Sequence, residues 1–189
     1  MIRSTFTAEL HCQYGQVGVV DTPLWAHPIF SADQDGWLCT EDLRGETASF
    51  KPLVFEFTFI KEAENRIYYT INCADTADFV GARLEQNRNG WLGLYGTYVI
   101  GRLIDKLDPI NALPSHQDQW KIETLQEWNG DVESAESIEF YLRDKHGHRV
   151  SQVLARYTRN KPPLRYWFLH AGDMDGEILR FCLRNIKVS

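Results

Sequence analysis

The chain has 189 residues, of which 43% are hydrophobic and 24% charged, and its net charge is −6. This composition is typical of one globular domain with a sizeable core and excludes a disordered chain. No apolar run approaches the roughly 20 residues of a membrane-spanning helix, and the overall acidity disfavours nucleic acid as a ligand. Residues 1–15 lack the apolar core of a signal peptide, so a cytoplasmic location is expected.

Strand patterns dominate the chain. Segments with period-two alternation and many β-branched or aromatic residues are, in chain order, FTAEL, VFEFTFI, RIYYTIN, GWLGLYGTYVI, QWKIETL, SIEFYL, RYWFL and ILRFCL. Turn dipeptides separate them: Asp35-Gly36, Asn89-Gly90, Asn129-Gly130, His146-Gly147 and Asp175-Gly176. A helical face is found only over residues 99–107, ahead of Pro109. We therefore predict an all-β single domain over residues 1–189.

A block of sequence recurs three times and predicts a repeat architecture. Its turn glycines, Gly36, Gly90 and Gly147, are 54 and 57 positions apart (90 − 36, 147 − 90). An alternating strand follows each turn, with paired apolar positions at Phe55 and Phe57, Trp120 and Ile122, and Trp167 and Leu169. These pairs are expected to meet in one core. The predicted units are residues 5–72, 73–135 and 136–189, and the second carries an insertion within residues 100–115.

Four segments of these units resemble the β-trefoil superfamily, especially its fascin-like and ricin-B-like branches. The segments are IEFYLRDKHGHRV, NGWLGLYG, DGWLCTED and QDQWKIETL. The resemblance covers roughly residues 5–186 and implies a β-trefoil-like barrel of three pseudo-repeats. It departs from the family pattern where unit three has His148 in place of tryptophan. The alternative is a β-sandwich or jelly roll, since alternation and turns alone fit both.

The residues directly after the repeated glycines are planar rings: Trp37, Trp91 and His148. Together with Asp35 and Asn89, which precede two of the glycines, they are the predicted ligand-binding residues. Flat aromatic rings stack on the apolar faces of sugars and also anchor protein interfaces. The alternative is that both tryptophans are core residues, because a shift of one residue in the strand exchanges its two faces.

A second candidate is the basic segment 156–165, predicted as a loop. It contains Arg156, Arg159, Lys161 and Arg165 and is suited to an anionic ligand or an acidic protein surface. A solvated loop is the alternative.

No metal or cofactor is predicted. Residues 31–42 place oxygens as in a calcium loop, but prolines at 23 and 28 exclude the entering helix, and a turn is expected. His146 and His148 have no third ligand in the sequence. The four cysteines are Cys12, Cys39, Cys73 and Cys182, without a C-x-x-C pair, and reduced thiols are favoured over disulfides.

Three functions remain open. The favoured one is a non-catalytic module that recognises glycans through the aromatic residues. The alternative is a protein-interaction module, an inhibitor or a cytoskeletal binder, that uses residues 100–115 or 156–165. An all-β enzyme is the third, because carboxylates are plentiful although none stands out by its spacing.

Overall fold

The structure is a computed structural model that describes residues 2–20, 26–27, 30–31, 36–42, 50–63, 66–75, 79–87, 89–95, 119–157 and 164–189. These residues form an all-β fold, as predicted, and their only helix is a 3₁₀ turn at Ala135–Ser137. The predicted helix over residues 99–107 and the insertion within 100–115 lie outside the described residues.

Strands are found in each segment that the sequence predicted, although residues 96–100 of GWLGLYGTYVI lie outside the described residues. In the first half of the chain they are β1 Phe6–Cys12, β2 Gly15–Val20, β3 Ala26–His27, β4 Phe30–Ser31, β5 Trp37–Thr40, β6 Phe50–Pro52, β7 Val54–Ala63, β8 Arg66–Cys73, β9 Arg83–Gln86 and β10 Leu92–Tyr95. In the second half they are β11 Trp120–Thr124, β12 Phe140–Arg143, β13 Val150–Tyr157, β14 Leu164–Ala171, β15 Glu177–Ile178 and β16 Phe181–Val188.

The large sheet is antiparallel and contains a ring of nine strands. Each strand pairs with the next in the order β1, β2, β5, β10, β9, β8, β11, β12 and β16, and β16 pairs with β1. Strand β7 crosses this ring between β1 and β8, so a shorter closed path runs through β1, β7, β8, β11, β12 and β16. Strands β13, β14 and β15 form a separate three-stranded sheet.

The main core lies along the shorter path. Phe6 stacks on Phe57 with ring centroids 4.9 Å apart, and the ring of Tyr69 meets both edge-on. The core also holds the positions that the repeat predicted as buried, namely Phe55, Phe57, Trp120, Ile122 and Leu169. These predictions are confirmed, because period-two alternation directs one face of each strand inward.

The prediction for Trp167 is wrong, since this side chain is 37% exposed. Its strand, β14, pairs with β13 outside the large sheet. The neighbouring residues Tyr166 and Phe168 point to the opposite face and are buried there. The face that carries Trp167 is covered only further along the strand, at Leu169.

A smaller second cluster is built on the opposite faces of strands that also contribute to the main core. Its buried members are Val20, Cys39, Ala155, Tyr166 and Phe168. They come from β2, β5, β13 and β14, so two strand pairs meet at this point. Three partly buried rings, those of Trp37, Phe50 and Trp91, pack against it.

The predicted turn glycines have two different roles. Positive φ is found at Gly36, Gly90, Gly130 and Gly147, with values of 61°, 90°, 90° and 95°. The same prediction is wrong for Gly176, whose φ is not positive. A Cβ there would lie 2.6 Å from Cγ2 of Val153, so the absence of a side chain allows a close approach between β13 and the segment before β15.

Candidate functional site

The structure brings the two predicted tryptophans together. Trp37, Phe50 and Trp91 are all partly buried and pack against the second cluster. We call these three residues the aromatic cluster. It lies where β5, β6 and the start of β10 meet the β13–β14 sheet. The sequence predicted its two tryptophans as site residues but not Phe50.

Trp37 is the first residue of β5 and lies opposite Val20 and Gly93. The next residue, Leu38, is buried in the main core, so Trp37 faces the other way. A Cβ on Gly93 would lie 3.5 Å from the Trp37 ring, which shows that this ring covers the glycine. The sequence left open which face of its strand carries Trp37. The structure decides this: Trp37 faces the second cluster and keeps part of its surface in solvent.

Trp91 has the same orientation, because Leu92 is buried in the main core. Its backbone is held by Asn87, whose Oδ1 accepts N–H groups from Asn89 at 2.9 Å and from Trp91 at 3.0 Å. Its ring meets Phe168 edge-to-face at 6.2 Å and His170 at 5.1 Å. The position of this tryptophan is thus fixed by a turn on one side and by two rings on the other.

His170 is a member of the site that the sequence did not reveal. It is 1% exposed, and its Nε2–H donates to the carbonyl oxygen of Asn89 at 2.9 Å. A Cβ on Gly90 would come within 2.3 Å of the same nitrogen, so this position requires glycine for space as well as for its positive φ. No spacing rule finds the contact, because the partner of His170 is a backbone carbonyl of a distant turn.

The other predicted ligand-binding residues have different outcomes. Asn89 lies at the edge of the aromatic cluster and is exposed. Asp35 is outside the described residues. His148 lies in the turn between β12 and β13, whereas Trp37 begins β5 and Trp91 directly precedes β10.

His148 belongs to a small polar network of its own. Its Nδ1 is 2.9 Å from Oδ2 of Asp144, and its Nε2 is 3.5 Å from Oδ1 of the exposed Asp173. Burial of Asp144 acts to raise the pKa of this carboxyl, but hydrogen bonds from the ring and backbone of His148 outweigh it and leave the pKa lowered. The arrangement stabilises the turn.

The basic segment is only partly a loop. Arg156 and Arg165 lie opposite each other in the β13–β14 pairing, so the loop prediction is wrong for both. Arg159 and Lys161 lie outside the described residues, as does the whole of residues 100–115. The protein-interaction hypothesis depends on these segments and stays a prediction.

Other chemistry is sparse in the described ranges. They contain no group of three or more histidine, cysteine, aspartate or glutamate side chains placed to hold a metal ion. Residues 32–35 of the calcium-like loop are not among them. All four cysteines are free thiols, and burial raises the pKa of Cys12 to about 11, which keeps this thiol protonated and unreactive at neutral pH.

Comparisons with protein-family models, with curated proteins and with solved structures found no match for this chain. Within the described segments, no helix is long and apolar enough to cross a membrane.

Proposed function

We propose that this protein is a non-catalytic binding module that recognises a glycan at the aromatic cluster. One observation carries the proposal: Trp37 and Trp91 face the same side, pack against one buried cluster, and are both left partly exposed. A tryptophan that packed only in the main core would take the inward positions of Leu38 and Leu92.

The chemistry of the cluster suits a sugar. Indole rings offer flat apolar surface, and their N–H groups add a donor at the edge. Asn89 lies exposed beside Trp91 in the same turn. Carbohydrate rings present an apolar face and a polar rim, so aromatic surface flanked by an exposed amide is complementary to them.

The site is rigid before a ligand arrives. Trp37 is paired on both sides, through Val20 and Gly93, and the turn of Trp91 is fixed by Asn87. Little backbone entropy therefore remains to be lost on binding, and this favours affinity.

We also propose that the fold is a β-trefoil-like barrel with revised unit boundaries. The support is a repeated pattern in which two strands of the shorter closed path flank a further strand pair: β1 and β7 flank β2–β5, β8 and β11 flank β9–β10, and β12 and β16 flank β13–β14. In this arrangement β8 begins the second unit. A sandwich has no such closed path through six strands.

These units predict one glycan site and not three. In the third unit the residue after the turn glycine, His148, lies between β12 and β13 and is engaged by Asp144. The rings from the third unit that contact Trp91 are Phe168 and His170.

The test is a glycan array followed by titration of the best neutral glycan against wild type, Trp37→Ala and Trp91→Ala. We expect each substitution to weaken binding about tenfold or more, because an anchor at the centre of an interface contributes more than about 1 kcal/mol. Circular dichroism must show that each variant retains its fold.

Trp167→Ala is the matched control, since it removes a half-exposed tryptophan from the opposite face of β14. We expect it to leave glycan affinity unchanged. The proposal fails if no neutral glycan binds to wild type, or if folded Trp37→Ala and Trp91→Ala bind as tightly as Trp167→Ala does.

A further inference from the structure

A row of cations crosses the large sheet away from the aromatic cluster. Lys61 lies opposite Tyr68, Tyr68 opposite Lys121, Lys121 opposite Arg143, and Arg143 opposite Arg149. We call these five residues the basic row. It runs across β7, β8, β11 and β12 to the start of β13, and no feature of the linear sequence predicted it.

The basic row faces outward. The neighbours that alternate with its members, Ile67, Ile122 and Leu142, are buried in the main core. Lys61 is exposed, and the other four members are partly buried. Side chains directly opposite each other on one face of a sheet are about 5 Å apart, so the cations form a continuous surface.

Positive charge exceeds negative charge at this surface. Four cations belong to the row, and Arg66 lies close enough to lower the pKa of Glu123 and of Lys121. The carboxylates in contact are Glu123, which accepts a hydrogen bond from Arg143, and Asp144, which is buried against His148. Among the residues that the structure describes, these five positive and two negative groups leave an excess of +3 (5 − 2), although the whole chain carries −6.

Like charges oppose each other along the row, and this favours an anionic ligand. Like charges directly opposite each other repel, and both the Lys121–Arg143 and the Arg143–Arg149 positions are of this kind. Burial and then the neighbouring Arg66, Arg143 and Lys61 lower the pKa of Lys121 against an opposing contribution from Asp144. Within the described part of the chain, Nε of Arg149 is buried without a hydrogen-bond partner.

We propose that the basic row binds a sulfated polysaccharide that lies across the strands. Adjacent strands are about 4.8 Å apart, so the row follows the outward face of the curved sheet over about 19 Å, which matches a chain of repeating anions better than a single small one. The guanidinium groups of Arg143 and Arg149 suit the planar, multidentate recognition of sulfate oxygens.

Nucleic acid is the less suitable polyanion because the tyrosine rings are already covered. Nζ of Lys61 lies 4.9 Å from the centroid of Tyr68, and Nζ of Lys121 lies 5.7 Å from it. Arg149 covers Tyr141 at 4.1 Å. Proteins that bind single strands stack bases on open aromatic faces, and this surface offers none on Tyr68 or Tyr141.

The experiment measures binding of fluorescent dextran sulfate to the full chain, with uncharged dextran as the reference polymer. Wild type is expected to bind only the sulfated form, with an affinity that falls steeply between about 50 and 200 mM salt as counterions compete. The double variant Lys121→Gln with Arg149→Gln is expected to lose at least about tenfold in affinity and to show a shallower salt dependence.

The matched control removes one lysine and one arginine from β16, as Lys187→Gln with Arg184→Gln, both exposed. It changes net charge equally and should retain the affinity. Lys61→Gln, at an exposed position, provides a second test if the first double variant does not fold, and a loss of about threefold is expected.

Three results would overturn the proposal: no binding of dextran sulfate by wild type, equal losses in both double variants, or tighter binding of single-stranded DNA of matched charge. The basic row is independent of the glycan proposal, because it shares no residue with the aromatic cluster. Trp91→Ala should therefore bind dextran sulfate as wild type does, whichever way the neutral-glycan test comes out.

Discussion

Asp144 shows how a single buried carboxylate organises a turn. It is 2% exposed and accepts hydrogen bonds from the backbone N–H of His148 at 2.8 Å and from its ring at 2.9 Å. Its own carbonyl accepts the N–H of Gly147 at 3.1 Å. Because these bonds favour the ionised form, the pKa of Asp144 is lowered in the folded state.

Asp144→Asn is therefore expected to destabilise the fold in a pH-dependent way. At pH 7 we expect a loss of about 1–3 kcal/mol, the usual effect of disrupting a buried charged acceptor. A carboxyl with a lowered folded pKa contributes stability above its unfolded pKa of about 3.9 and loses it as pH falls through the folded value. The measurement is urea unfolding of wild type and variant at pH 7 and near pH 3.

The difference in the free energy of unfolding between wild type and Asp144→Asn should be smaller near pH 3 than at pH 7. Asp173→Asn is the control, because its side chain is 99% exposed and meets the same histidine at 3.5 Å. No measurable change is expected for it. A difference for Asp144→Asn that is the same at both pH values would contradict a role for its charge.

At the scale of one element, β14 departs from simple alternation. Tyr166 and Phe168 are buried in the second cluster, and Leu169 is buried in the main core on the other face. Trp167 shares the face of Leu169 but is 37% exposed. A strand located between two apolar clusters is buried on both faces where the clusters overlap and on only one face elsewhere.

This asymmetry predicts that replacing Phe168 lowers the free energy of unfolding more than replacing its larger neighbour Trp167. Phe168→Ala should cost about 3–5 kcal/mol, because it leaves a cavity beneath Trp91 and beside Tyr166. Trp167→Ala should cost about 1 kcal/mol or less, as a surface substitution. Chemical denaturation of both variants checks the order, and equal costs would show that the Trp167 face is covered.

At the scale of the whole molecule, the first and last described strands close the sheet. Strand β1 pairs with β16 from Phe6 opposite Val188 to Cys12 opposite Phe181. Strand β16 also pairs with β12, and it contributes Phe181 and Leu183 to the main core. Closure therefore joins segments that are far apart in the chain, and such contacts form only when the rest of the sheet is in place.

Deletion of residues 181–189 should consequently abolish cooperative folding. The deletion leaves β1 and β12 with unpaired edges and removes buried apolar side chains from the core. Far-ultraviolet circular dichroism and a thermal melt are the measurements. Deletion of Ser189 alone is the control and should fold as the full chain does. A cooperative transition in the shortened chain would show that ring closure is dispensable.

Local patterns proved to be reliable where a side chain's environment is set by its own strand. The alternation in VFEFTF placed Phe55 and Phe57 in the core, and the positive φ of Gly90 and Gly147 was predicted from their dipeptides. The same reasoning gave the wrong result for Trp167, because the exposure of its face depends on a second sheet and not on its own strand alone.

The sequence by itself determined an all-β chain with its strands and most of its turns, because period-two alternation and glycine conformation are local properties. Only the tertiary structure decided that Trp37 and Trp91 share a face, that His170 contacts the turn of Trp91, and that Lys61, Lys121 and Arg149 lie in one row. These facts depend on the register between strands that are distant in the chain. Register is set by which apolar faces meet in the core, and that is a property of the whole fold.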